Sequence, residues 1–127
     1  MRRAAAAVAA LLLTAALPAS APSTAFAQAR GPDDQQALAE LARVLGESHA
    51  LRQACVGDQD QTWRDRMQAL LEVETPAADL KTRLAEAFNS GFAAGRRGFP
   101  ACGKASRAEA ARIAARGEAL ATRLGSP

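Results

Sequence analysis

Isoleucine occurs once in this chain, at Ile113, and valine never forms a run, whereas alanine recurs throughout. A β-strand needs branched or aromatic residues to cover its pleated face, and alanine is the strongest helix former. The composition therefore disfavours a sheet and predicts an all-α fold. Aromatic residues make up only 4% of the chain, so the core of such a fold is thin. Small domains of this kind gain from a covalent staple. Cys55 and Cys102, the only cysteines, are the candidates for it.

The N-terminus carries the signs of an export signal. Arg2 and Arg3 precede Ala4 to Leu17, an apolar run of 14 residues without a charge. Pro18 to Ala27 is rich in small residues and ends in Ala25-Phe26-Ala27, an Ala-x-Ala cleavage signal. The predicted cut lies between Ala27 and Gln28. A spanning helix needs about 20 apolar residues, and Pro18 stops this run early, so no transmembrane anchor is expected after cleavage. No cysteine follows closely enough for lipoprotein attachment. The twin arginine lacks an extended motif, which favours the general secretory route.

Loss of Arg2 and Arg3 leaves 14 basic against 13 acidic residues, a net charge of +1. That balance gives no global basic field for nucleic acid. The predicted location is the periplasm or outside the cell. There an even pair of cysteines forms a disulfide, which is expected to act as a structural staple. The sequence holds no Cys-x-x-Cys and no His/Cys set with zinc spacing, so neither a redox pair of that kind nor a metal site is expected. Nothing implies a cofactor.

Helical spacing divides the remainder into four segments. After a flexible lead over residues 28–32, Asp33 with Gln36 reads as a capping box, opening a helical domain over residues 33–125. Leu38, Leu41, Ala42, Leu45 and His49 share a face of the first helix, with Cys55 near its end and Gly57 as the stop. Trp63, Met67, Leu70 and Leu71 mark the second helix, with Asp58 and Asp60 placed to cap it. Thr75-Pro76 reads as the start of the third, whose stripe is Leu80, Leu84, Ala87, Phe88, Gly91 and Phe92. Gly95-Arg96-Arg97-Gly98-Phe99-Pro100 reads as a break. Ser106-Arg107-Ala108-Glu109 matches a capping box for the fourth helix. That helix carries Ile113, Gly117, Leu120 and Leu124 on one face and ends at Gly125. The predicted architecture is a small four-helix domain with short connections and one disulfide.

Several of these residues also carry a family likeness. They are Leu45-Gly46, His49, Cys55, Trp63-Arg64-Asp65-Arg66-Met67, Leu70-Leu71, Ala87-Phe88-Asn89-Ser90-Gly91-Phe92 and Cys102. From about Leu38 to Leu124 the chain resembles a family of short secreted alphaproteobacterial proteins classed as a domain of unknown function. The resemblance implies export and a helical fold, and it brings no activity. The departure is at Gly95 to Pro100, where the family is expected to be less glycine-rich and to continue helically. An early end to the third helix is expected here.

Few residues suggest chemistry. His49, the only histidine, lies on the apolar face of the first helix, where a histidine bonded to a backbone carbonyl at the core edge is expected. Its neighbour Ser48 points about 100° away on a helix, so the two form no working pair. The Asp58-x-Asp60-x-Thr62 loop lacks the glycine and glutamate of a calcium loop. Gly91, Gly95 and Gly98 match no phosphate-loop pattern, and Gly91-x-x-x-Gly95 fits close helix packing instead. Trp63 and Met67 share a helix face and are expected in the core. If exposed, Trp63 beside Arg64 and Arg66 would make a platform for a sugar, peptide or anion. Arg96, Arg97, Lys104 and Arg107 concentrate charge around Cys102, either as a solvated run or as a contact rim.

No catalytic residue is assigned. The expected role is a small non-enzymatic accessory protein with an envelope protein partner. Its candidate contacts are Arg64, Arg96, Arg97, Lys104 and Arg107. Two alternatives are a binding module for an anionic or glycan ligand with Trp63 as platform, and a small envelope hydrolase using His49.

Overall fold

A computed structural model describes residues 29–126; the export signal expected over residues 1–27 lies outside them. Four helices follow in order: α1 Pro32–Val56, α2 Thr62–Glu74, α3 Ala78–Gly98 and α4 Lys104–Gly125. No strand occurs among the described residues. None of these helices is long and apolar enough to cross a membrane.

The hub of the fold is α1. It packs most extensively on α3, then on α4, then on α2. Its first half buries the expected face through Leu38 and Ala42. From Val44 to Leu51 every residue is buried, because neighbouring helices surround this half. The interior forms two clusters. Leu38, Leu45, Met67, Leu84, Phe88 and Leu124 belong to one. Val44, Ala50, Leu51 and Ile113 form the other, with Phe92, Phe99 and Leu120 packed against it. The crossing of α1 on α3 is a close backbone contact. A β-carbon at Gly46 would stand 2.0 Å from the Phe88 carbonyl oxygen, and one at Gly91 2.1 Å from that of Arg43. Side chains larger than hydrogen do not fit between these backbones.

Helix ends depart from the expected caps in several places. α1 begins at Pro32, with Gly31 as N-cap and no side-chain cap. Proline has no amide hydrogen to leave unpaired at that position, so Asp33 becomes part of the first turn, where its charge suits the helix dipole. The lead expected to be flexible is tied down at Arg30. Its guanidinium donates to both carboxylate oxygens of Glu74, at 2.8 and 3.0 Å, and to the Leu124 carbonyl at 2.8 Å.

Gly57 ends α1 as expected, at φ 124° with its N–H donating to the Gln53 carbonyl. Asp60 caps α2 by accepting the Thr62 N–H at 3.1 Å, whereas Asp58 turns away to pair with Arg96. Thr75 does not cap the third helix. It closes α2 in the left-handed region, at φ 41° with its N–H bonded to the Leu71 carbonyl, and α3 starts only at Ala78. The expected break at Gly95 is likewise absent, because α3 continues to Gly98. Gly95 is buried against Ala50 and Leu51 of α1, so its lack of a side chain serves packing. Ser106 sits inside the first turn of α4 rather than before it. It accepts the Gly103 N–H at 2.8 Å and is 2% exposed.

Cys55 and Cys102 form a disulfide. It ties the last turn of α1 to the residue before the Gly103 cap of α4.

Candidate interaction site

α2 and α4 each pack on α1 with no comparable packing on each other. Between them lies an open groove of about 530 Å³. Leu41, Val44, Leu45 and Ser48 of α1 form its floor. Trp63, Arg66, Leu70 and Val73 form the α2 wall, spaced along one helix face. Ala114, Gly117 and Ala121 form the α4 wall, with Glu118 on its rim. The small α4 side chains leave room for close approach.

Three features distinguish this groove. Val73 is 81% exposed, the most exposed large apolar side chain among the described residues. Ser48 is 8% exposed on the floor and brings a hydroxyl to an otherwise apolar surface. Trp63 is half-buried, with one side packed against the core and the other lining the groove. The Arg66 guanidinium lies 5.0 Å from its ring centroid, within cation–π range. Core packing and a groove-facing edge are thus both true of Trp63. Arg64 lies off this wall, exposed on another face of α2.

The groove itself was not read from the sequence. Its available signals were Val73 in register with Trp63 and Leu70, and the spacing of Ala114, Gly117 and Ala121.

The four basic residues around Cys102 divide by their partners. Arg96 pairs with Asp58 at 3.1 Å. Arg107 Nη1 donates toward Cys102 Sγ at 3.8 Å. Arg97 and Lys104 are exposed and carry no ion pair among the described residues. The disulfide is therefore flanked by positive charge, with Asp58 as one acidic counterpart.

His49 is 4% exposed, its ring 5.8 Å from Phe88 and 5.2 Å from Phe92 between centroids. The expected backbone carbonyl bond is not made, and the buried Nδ1 has no partner among the described residues. Burial lowers the His49 pKa from its ordinary value, and the positive charge of Arg64 lowers it further, against smaller opposing effects of Asp60 and Asp65. Glu47 is a buried carboxylate that the sequence reading passed over. At 7% exposure it bridges Arg43 at 3.1 Å and also pairs with Arg116 of α4.

The family model described as "Protein of unknown function (DUF2385)" matches residues 32–126, most of the chain and all four helices. The chain belongs to this family. No curated protein and no solved structure matches it. The DUF2385 match begins at Pro32, the first residue of α1, and extends one residue past α4.

Proposed function

We propose that the protein is an exported, disulfide-held accessory protein of the cell envelope that binds an amphipathic helical segment of a partner protein in the α2–α4 groove. The groove carries this reading. It occupies the gap around α1 that another helix would fill, and its apolar walls suit the i, i+3, i+4 face of such a helix. Arg66 on one wall and Glu118 on the other provide charge complementarity for a segment acidic on one flank and basic on the other. Export rests on the Ala4 to Leu17 run, the Ala-x-Ala signal and the disulfide.

The test places a photo-crosslinking residue at Val73 or Ala121 on the groove, or at Glu86 on the exposed face of α3, in living cells. Expected is one recurrent partner from the two groove sites and none from Glu86. The crosslinked segment, made as a peptide, should become helical on binding and shift the emission of Trp63. Crosslinks from all three sites alike, or a peptide that leaves Trp63 unchanged, would count against the groove. If Arg97→Glu with Lys104→Glu abolishes capture instead, the basic rim is the contact surface.

One observation favours the alternative of a small-ligand site, the Trp63–Arg66 pair. The apolar lining of the groove fits an acyl or aromatic group better than a glycan. The hydrolase alternative would need a nucleophile at His49, whose ring lies between Phe88 and Phe92.

A further inference from the structure

The two half-cystines of the disulfide sit at opposite poles of two helices. Cys55 lies in the last turn of α1, at the end where unpaired carbonyls give the helix dipole its negative pole. Asp58, three residues later, is paired with Arg96 at 3.1 Å, so the asymmetry comes from the helix ends and from Arg107 and Lys104. Cys102 directly precedes the Gly103 cap of α4, at the positive pole of that helix. Arg107 Nη1 approaches its sulfur to 3.8 Å, and Lys104 opens the same turn. No basic residue falls in the last turn of α1 to offset its dipole. Both half-cystines are exposed, so an incoming thiol can reach the bond.

A thiolate is stabilised at a helix N-terminus beside cationic groups and disfavoured at a helix C-terminus. The thiol with the lower pKa is the better leaving group in thiol–disulfide exchange. We propose that Cys55–Cys102 is an exchange-active disulfide, opened by attack of an external thiolate on Cys55 Sγ with Cys102 Sγ leaving as the thiolate. In that step the attacking sulfur forms a bond to Cys55 Sγ, and the electron pair of the broken S–S bond departs on Cys102. The proton of the incoming thiol goes to solvent. A second thiol of the same donor then attacks the mixed disulfide. This leaves Cys55 reduced and the donor dithiol oxidised to its disulfide. The co-reactant class is thus a thiol or, for complete reduction, a dithiol.

The absence of Cys-x-x-Cys does not bear on this polarity, which comes from two helix ends brought together by the fold. The structural staple and the exchange site are the same bond. While closed it fixes α4 to α1. Once open, it releases the connection from Phe99 to Gly103, while Ile113 and Leu124 keep α4 seated on the core. The inference is independent of the groove, whose residues it does not use.

The experiment treats the oxidised protein with reduced glutathione at neutral pH, traps free thiols with N-ethylmaleimide, and maps the adducts by mass spectrometry after trypsin. The two cysteines fall in separate peptides, residues 53–64 and 98–104. Expected is glutathione on Cys55 and maleimide on Cys102, by roughly fivefold or more over the reverse pattern. The preference should vanish in urea, where the helix ends are gone. Arg107→Ala combined with Lys104→Ala should reduce the native preference by about twofold.

A second measurement uses the reduced protein. Its alkylation by iodoacetamide across pH should show Cys102 titrating below Cys55, with the helical circular-dichroism signal confirming the fold. Equal partition in the native state, capture on Cys102, or a native disulfide that resists exchange while the urea-unfolded one reacts would each overturn the proposal.

Discussion

Gly46→Ala is the sharpest test of the α1–α3 crossing. The added β-carbon would stand 2.0 Å from the Phe88 carbonyl oxygen, 2.8 Å from its carbonyl carbon and 2.9 Å from the Phe92 amide nitrogen. An ordinary carbon–oxygen approach is about 3.3 Å, so the helices must part by roughly 1 Å. The obstacle is backbone in the middle of α3 and cannot swing aside as a side-chain tip would. A gap of that size forfeits about a quarter to a half of the dispersion attraction across the interface, where Leu84 and Phe88 are buried. Overpacking of this kind costs about 1–3 kcal/mol, and the rigid obstacle places Gly46 at the upper end. Alanine returns about 1 kcal/mol of helix propensity.

The net expectation is a loss of about 2 kcal/mol, or a Tm lowered by about 8–16 °C for a domain of this size. Gly98 supplies the control. It ends the same α3, and a β-carbon there would meet nothing within 4 Å. Gly98→Ala should be neutral or stabilising, by at most about 1 kcal/mol. The assay is thermal and urea unfolding of the oxidised protein, followed by circular dichroism. A Gly46→Ala protein within about 0.5 kcal/mol of the parent, or an equal loss at Gly98, would refute the close crossing.

Reduction of Cys55–Cys102 releases a loop closed over 47 residues and should cost about 4 kcal/mol by the loop-entropy relation; urea midpoints of oxidised and reduced protein measure it. The His49 pKa is lowered in the fold, so the unfolded chain takes up its proton first as pH falls. Its contribution to stability should be complete above about pH 6.5 and should decline from there toward the lower folded-state value. His49→Gln should flatten that part of the stability–pH curve, and an unchanged slope would rule the residue out as its source. Glu47→Gln should destabilise by about 1–2 kcal/mol, below the cost of breaking a fully buried pair, because Arg43 and Arg116 are half-exposed and can rehydrate. A double-mutant cycle with Arg116→Ala measures the coupling.

By itself, the sequence determined those properties that depend on neighbours along the chain. Alanine content and the spacing of Leu80, Leu84, Ala87, Phe88, Gly91 and Phe92 specify helices because a helical face repeats every three to four residues. Gly57 specifies a helix end because its conformation disfavours a side chain. The cysteine pair specified its own partner, since two cysteines have one pairing. Local chemistry failed where long-range contacts compete with it. Gly95 reads as a breaker, yet it lies inside α3 because α1 presses on it. Thr75 reads as an opening cap, yet it closes the helix before it.

Only the tertiary structure decided which surfaces remain open. The groove exists because α2 and α4 flank α1 with no comparable packing on each other, and no spacing in either helix encodes the angle at which it leaves α1. Trp63 could therefore be placed on an apolar face but not at that face's open edge. His49 could be placed toward the core, but its lack of a carbonyl partner depends on Phe88 and Phe92 arriving from α3. The polarity of the disulfide has the same origin. It needs the negative end of one helix and the positive end of another at a single bond, and 47 residues of chain separate them.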